Sequence, residues 1–184
     1  MFRVKWDPTN NGIMLSEYIE EKDAINSPRP VYVEELKMLG IDKQILLPKD
    51  NVPVCWEIDH KYYYKGSVIA ETSGGNIYQS PIVKVCDSAI GMEIEPINTD
   101  VLWKNNEKAL STLENEAMDF INEQYEKYQD KPISGYVVAF SGGKDSQVIL
   151  DLVSRVIPPE KYTVVFTNTG MELPCTIDTV KNTE

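Results

Sequence analysis

The sequence predicts an α/β fold: the beginning of a parallel sheet, incomplete, preceded by a small β-rich domain and a long helix. Three observations predict it. Short apolar and aromatic runs broken by turn signals fill the amino-terminal half. A long stretch with helical periodicity follows. Two continuous apolar runs then flank an amphipathic segment that opens on a glycine pair. Read along the 184 residues, this gives a β-rich domain at 1–97, a connecting amphipathic helix at 98–131 and an α/β unit at 132–184.

In the first region Phe2, Val4 and Trp6 alternate, as a half-buried strand requires. Residues 7–12, Asp-Pro-Thr-Asn-Asn-Gly, form a turn signal, and Ile13, Met14 and Leu15 can pair back. Val31, Tyr32 and Val33 read as a strand, and residues 34–39 as a short helix stopped by Gly40. Residues 54–58 and 61–64 read as strands flanking Asp59 and His60. Lys65-Gly66 turns into a further strand at 67–71, and residues 81–85 form the last. Trp56 and the tyrosines at 62, 63 and 64 are expected as strand and core residues. His60 is expected as a turn residue, since no nucleophile or carboxylate stands at a spacing that would make it a base.

In the second region Leu110, Leu113, Ala117, Phe120, Ile121, Tyr125 and Tyr128 fall three or four residues apart. They make one apolar stripe along a helix spanning about 100–129. Ser111-Thr112-Leu113-Glu114 matches a capping box, so a restart is expected there, and Pro132 is expected to end the helix.

In the third region residues 136–140, Tyr-Val-Val-Ala-Phe, read as a strand buried on both faces. Residues 147–156 are helical, and residues 162–167 form a second buried strand. Strand, helix and strand at this spacing make a βαβ unit, with parallel strands and a right-handed crossover. Residues 168–174 and a short tail follow.

The loop between the first strand and its helix reads Ser141-Gly142-Gly143-Lys144-Asp145-Ser146. Two glycines permit positive φ and close approach to a ligand. At the carboxyl end of a strand and the amino end of a helix, orphan N–H groups and the helix dipole favour an anion. Ser141 and Ser146 add hydroxyls, Lys144 a positive charge, and Asp145 a helix cap or a metal contact. The set suits a pyrophosphate, an oligophosphate or a sulfate. It is not a Walker A loop: Val138 stands where the first glycine is required, and Asp145 follows the lysine. It is not a dinucleotide fingerprint either, because Ser146 occupies the third glycine position. Thr167, Asn168, Thr169 and Gly170 end the second strand, where ligands of open α/β sheets lie, and are candidates for adenosine contacts.

Whole-chain numbers narrow the function. Eighteen basic against 29 acidic residues leave a formal charge of −11. That disfavours a nucleic-acid backbone as partner, while a local nest of N–H groups can still take one nucleotide. No apolar run reaches about 18 residues and no signal-like start occurs, so neither a membrane span nor export is expected and the location expected is cytoplasmic. Cys55, Cys86 and Cys175 are far apart and read as reduced thiols, two of them in strands. With His60 the sole histidine, neither a zinc site nor an iron–sulfur cluster is expected within the chain.

Residues 141–146 after an apolar strand, with Asn168-Thr169-Gly170-Met171-Glu172-Leu173-Pro174 downstream, resemble the PP-loop of the ATP-pyrophosphatase (adenine nucleotide α-hydrolase-like) superfamily. The combination looks like its phosphoadenosine phosphosulfate (PAPS) reductase branch. The resemblance implies phosphate contacts at Ser141, Gly142, Gly143, Lys144 and Ser146, with Asp145 as helper. It implies adenosine near residues 167–170, and PAPS, adenosine phosphosulfate or ATP, with Mg²⁺ in the ATP case, as ligand. Many members have Asp where this chain has Asn168, which keeps hydrogen bonding and removes a charge. Reductases of the family also use a carboxyl-terminal cysteine nucleophile, which no residue here matches. Two parallel strands leave apolar faces uncovered, so the chain is expected to be the front part of a longer enzyme, or completed by a second copy or a partner. Two functions follow: a nucleotide-binding protein that in complete form reduces or transfers sulfur from a sulfonucleotide, or a non-catalytic assembly module of a sulfurtransferase.

Overall fold

The computed structural model describes residues 2–76, 78–131 and 135–183; Pro132, expected to end the long helix, lies outside the described residues. The protein is mixed α/β, with three sheets and one long helix. It divides into two compact units, Met1–Ala109 and Leu110–Glu184.

The first unit holds a β-hairpin and a five-stranded antiparallel sheet. Strands β1 (Arg3–Asp7) and β2 (Gly12–Ser16) pair with Trp6 opposite Ile13 and Val4 opposite Leu15. β3 (Arg29–Tyr32) runs directly into helix α1 (Val33–Met38), so Val33, expected in the strand, opens the helix instead. Gly40 ends that segment with φ 72°, as its sequence position predicts. β4 (Pro53–Ile58), β5 (Lys61–Tyr64), β6 (Ser67–Ser73) and β7 (Ile82–Val85) follow, and the sheet order is β3-β4-β5-β6-β7.

Both tight hairpins have two-residue turns with positive φ throughout: Asp59 and His60 at 49° and 66°, Lys65 and Gly66 at 48° and 77°. That geometry matches the twist of the strands it joins. Val31, Leu36, Ile41, Val54, Cys55 and Ile69 are fully or almost fully buried in the core of this unit. Trp56, Tyr62 and Tyr64 are buried with them, and Trp6 stacks on Tyr63 with centroids 5.1 Å apart. Burial pushes the Cys55 thiol up to about 12. Cys86 is half-buried just after β7, and Cys175 is exposed, so one of the three cysteines lies in a strand rather than two.

Helix α2 (Thr99–Tyr128) is continuous through the expected capping box at 111–114. Its cap is Asn98, whose Oδ1 accepts the Val101 N–H at 3.0 Å, well ahead of the expected capping box at 111–114. Its first turns belong to the first unit. Buried Asn106 accepts the Leu15 N–H at 2.6 Å and donates to the Ile13 carbonyl at 2.9 Å, which satisfies the outer edge of the hairpin.

The second unit contains the remainder of α2, then β8 (Tyr136–Ala139), α3 (Lys144–Val156), β9 (Tyr162–Val165) and α4 (Pro174–Thr183). β8 and β9 are parallel, with Tyr136 beside Tyr162 and Val138 beside Val164. Val138 of β8 packs on Val153 of α3 and on Ile157, which caps that helix, with Ile121 and Tyr125 of α2 against them. Two expectations change here. The strands are not buried on both faces: Val137 is 68% exposed and Val165 42%, while Ala139 and Thr163 are also open. A continuous apolar run fixes the strand but not whether a second layer covers it. The tail after Pro174 is a helix, which the short sequence that follows did not reveal.

In the first unit Asn11 joins hairpin to sheet. Its φ is 49°, its side chain donates to the Val54 carbonyl at 2.8 Å and accepts the Lys65 N–H at 2.9 Å, and its carbonyl accepts the Trp56 indole N–H at 3.0 Å. Asn11→Ala leaves buried groups without partners. It is expected to cost about 2 kcal/mol in urea denaturation, with the loss seen in Trp fluorescence.

Candidate functional site

The carboxyl end of β8 and the amino end of α3 are joined by four residues, 140–143. The helix begins at Lys144, with Gly143 at its cap, so of the six residues expected as loop only Ser141, Gly142 and Gly143 are loop, and Lys144, Asp145 and Ser146 form the first helical turn. An acidic residue favours the first turn of a helix, and Asp145 stands there. The first backbone bond of the helix runs from the Gln147 N–H to the Gly143 carbonyl at 3.1 Å. The N–H groups of Lys144, Asp145 and Ser146 stand ahead of it, as the first donors of any helix do.

The glycines divide their work. Gly142 has φ 76°, a conformation costly for any side chain, whereas Gly143 has φ −81° and ψ 162°, open to most residues. Beside Gly142 lie Thr176 and Val180 of α4: a Cβ there would sit 3.4 Å from Thr176 Cγ2 and 3.5 Å from Val180 Cγ2. The unforeseen helix α4 therefore borders the loop.

Ser146 is buried and faces inward. Its hydroxyl donates to the Gly143 carbonyl at 2.8 Å and accepts both the Ser141 N–H and the Ser141 hydroxyl at 3.2 Å. Ser141 Oγ in turn accepts the Gly143 N–H at 3.4 Å. In this arrangement the Ser146 hydroxyl bonds within the loop and holds its shape. Lys144 and Asp145 are exposed at the outer side.

A cavity of about 230 Å³ opens next to the loop, lined by Ala139, Phe140 and Ser141 from the first strand end and Val165, Phe166 and Thr167 from the second, with Glu172. Of the four residues expected to meet adenosine, Thr167 is part of this wall. Asn168, Thr169 and Gly170 build the turn that follows: Asn168 Oδ1 accepts the Gly170 N–H at 2.8 Å, and Gly170 has φ 79°. The turn sends the chain back so that Glu172 reaches the cavity, where Thr169 Oγ1 donates to its carboxylate at 2.9 Å. Glu172 and the two phenylalanines were not among the expected site residues. The Asn-Thr-Gly turn is the signal that could have found Glu172, since such a reversal aims the next few side chains at the strand ends.

The arrangement offers helix N–H groups, a lysine and a small hydroxyl-bearing loop beside a half-apolar pocket at the carboxyl ends of parallel strands. That is a place for an anion attached to a flat organic group. Residues 135–184 match the phosphoadenosine phosphosulfate reductase domain family. The match agrees with the PP-loop resemblance of residues 141–146. Two relatives are uncharacterized proteins of Methanocaldococcus jannaschii. One is 29% identical over 120 residues, covering 64% of this chain, and the other 39% identical over 85 residues, covering 46%. The chain spans 28% of the first relative's length and 17% of the second's. No solved structure matches. Among the described residues no helix is long and apolar enough to cross a membrane, and no group of three or more His, Cys, Asp or Glu could hold a metal ion.

The two glycines are expected to respond differently to a methyl group. Gly142→Ala forces a side chain into the left-handed region and should cost about 1–2 kcal/mol in urea denaturation. Gly143→Ala, at a permissive φ with its Cβ in ordinary contact with Ser141 Oγ, should cost less than about 0.5 kcal/mol. Equal losses would contradict the assigned loop geometry.

Proposed function

We propose that the second unit binds an adenine nucleotide, with its phosphate or sulfate end on residues 141–144 and its adenosine in the cavity at the ends of β8 and β9. The observation that carries this reading is the adjacency of the two halves: Ser141 belongs both to the anion loop and to the cavity wall. An anion on the loop would meet the leading N–H groups of α3 and the Lys144 ammonium, and the nucleoside would lie against Phe140 and Phe166. The family match supports an adenine nucleotide in particular.

Within a longer protein the bound nucleotide would be a sulfonucleotide whose sulfur is reduced or transferred, or ATP activating an acceptor. Positioning the 5′ end of the nucleotide is the contribution of this unit in either case. A cytoplasmic setting suits such soluble substrates. Mg²⁺ would accompany ATP, and Asp145, next to Lys144 and exposed, is the nearest carboxylate on the loop's own helix.

A second reading has its own support. The open face of β8 and β9, with Val137, Thr163 and Val165 exposed, suits a module that is completed by further strands or helices, from the rest of a longer chain or from a partner.

Calorimetric titration of the 184-residue protein with ATP and Mg²⁺, adenosine phosphosulfate and PAPS tests the first reading, with Lys144→Ala as control. Binding of at least one nucleotide is expected, weakened about tenfold or more by the substitution. A folded protein that binds none of them would overturn the first reading and favour the assembly module.

A further inference from the structure

The cavity beside the loop carries one charged side chain, and its sign is negative. Its lining consists of apolar and hydroxyl-bearing residues and Glu172, with no lysine or arginine among the described residues that form it. Glu172 is half-buried and held in place by the Thr169 hydroxyl at 2.9 Å. One of its oxygens accepts that bond, which leaves acceptor capacity on the carboxylate for a ligand.

We infer that Glu172 is a specificity-determining residue that reads the ribose hydroxyls and selects adenine nucleotides with a free 3′-hydroxyl over those with a 3′-phosphate. The inference rests on the nucleotide site proposed above and narrows its substrate class to ATP or adenosine phosphosulfate. A nucleotide whose 5′ end lies on residues 141–144 has its sugar one step along, beyond Ser141 and inside the cavity. A carboxylate there accepts hydrogen bonds from a cis-diol, the way acidic residues recognise ribose in dinucleotide sites, and such sites need a basic side chain to take a phosphate instead. A 3′-phosphate at this place would meet the like charge of Glu172, in a chain whose net charge of −11 adds to the repulsion.

The test compares adenosine 5′-monophosphate with adenosine 3′,5′-bisphosphate, which differ only at the 3′ position, by calorimetry on the wild-type protein and on Glu172→Gln. Glutamine keeps the size and the acceptor for Thr169 while removing the charge. Wild-type protein is expected to bind the monophosphate at least tenfold more tightly, and the substitution to shrink that ratio at least fivefold, chiefly by improving the bisphosphate. Equal binding, a preference for the bisphosphate, or a ratio unmoved by the substitution would overturn the assignment of Glu172 while leaving the nucleotide site standing. Binding of neither nucleotide by a folded protein would overturn the site itself and this inference with it. Unfolding curves of the two proteins should superimpose, which separates a charge effect from a structural one.

Discussion

The buried hydroxyl of Ser146 joins the end of β8 to the start of α3. It accepts the N–H and the hydroxyl of Ser141 and donates to the Gly143 carbonyl, so one oxygen fixes three points of a very short connection. With those points fixed, Gly142 must turn through the left-handed region, and the leading N–H groups of the helix are free to face a ligand. The same closure puts Ser141 at the rim of the cavity and brings the loop against Thr176 and Val180 of α4. The proposed site is an outcome of local backbone geometry more than of charge, so the acidity of the chain as a whole does not oppose an anion there.

The two units illustrate different ways of using a short sequence. The first closes a hydrophobic core within a five-stranded sheet and uses asparagines as cross-links. Asn11 ties hairpin to sheet, and Asn106 satisfies the hairpin's free edge from the first turns of α2. The second packs one side of β8 through Val138 and leaves the other side of the parallel pair open, with Val164 of β9 exposed as well. An antiparallel sheet can face water on one side, whereas parallel strands are ordinarily covered on both. That contrast is the physical content of the assembly reading, and it stands apart from the loop at residues 141–143, which is built within the unit.

Much of this was legible in the residues. The Asp59-His60 and Lys65-Gly66 turns, the stop at Gly40 and the strand–loop–helix context of Ser141 to Ser146 follow from local backbone preferences, which sequence states directly. Three things were not legible. The helix start at Lys144 depends on how Gly143 enters the turn, and Lys-Asp-Ser suits a loop as well as a helix. The capping box at 111–114 is a sound local signal overridden by a helix already capped by Asn98 and continuous across it. Glu172 enters the cavity through a chain reversal at Gly170, so its place depends on where strand β9 ends in space and not on spacing alone.

The central claim is that residues 141–144 are the anion contact. Amide chemical-shift mapping of isotope-labelled protein during addition of ATP and Mg²⁺ tests it most directly. The largest shifts are expected on the amides of residues 141–146, the leading N–H groups of α3 among them, with smaller ones at Phe166 and Thr167. Saturable shifts confined to other parts of the chain, with these amides unmoved, would contradict it.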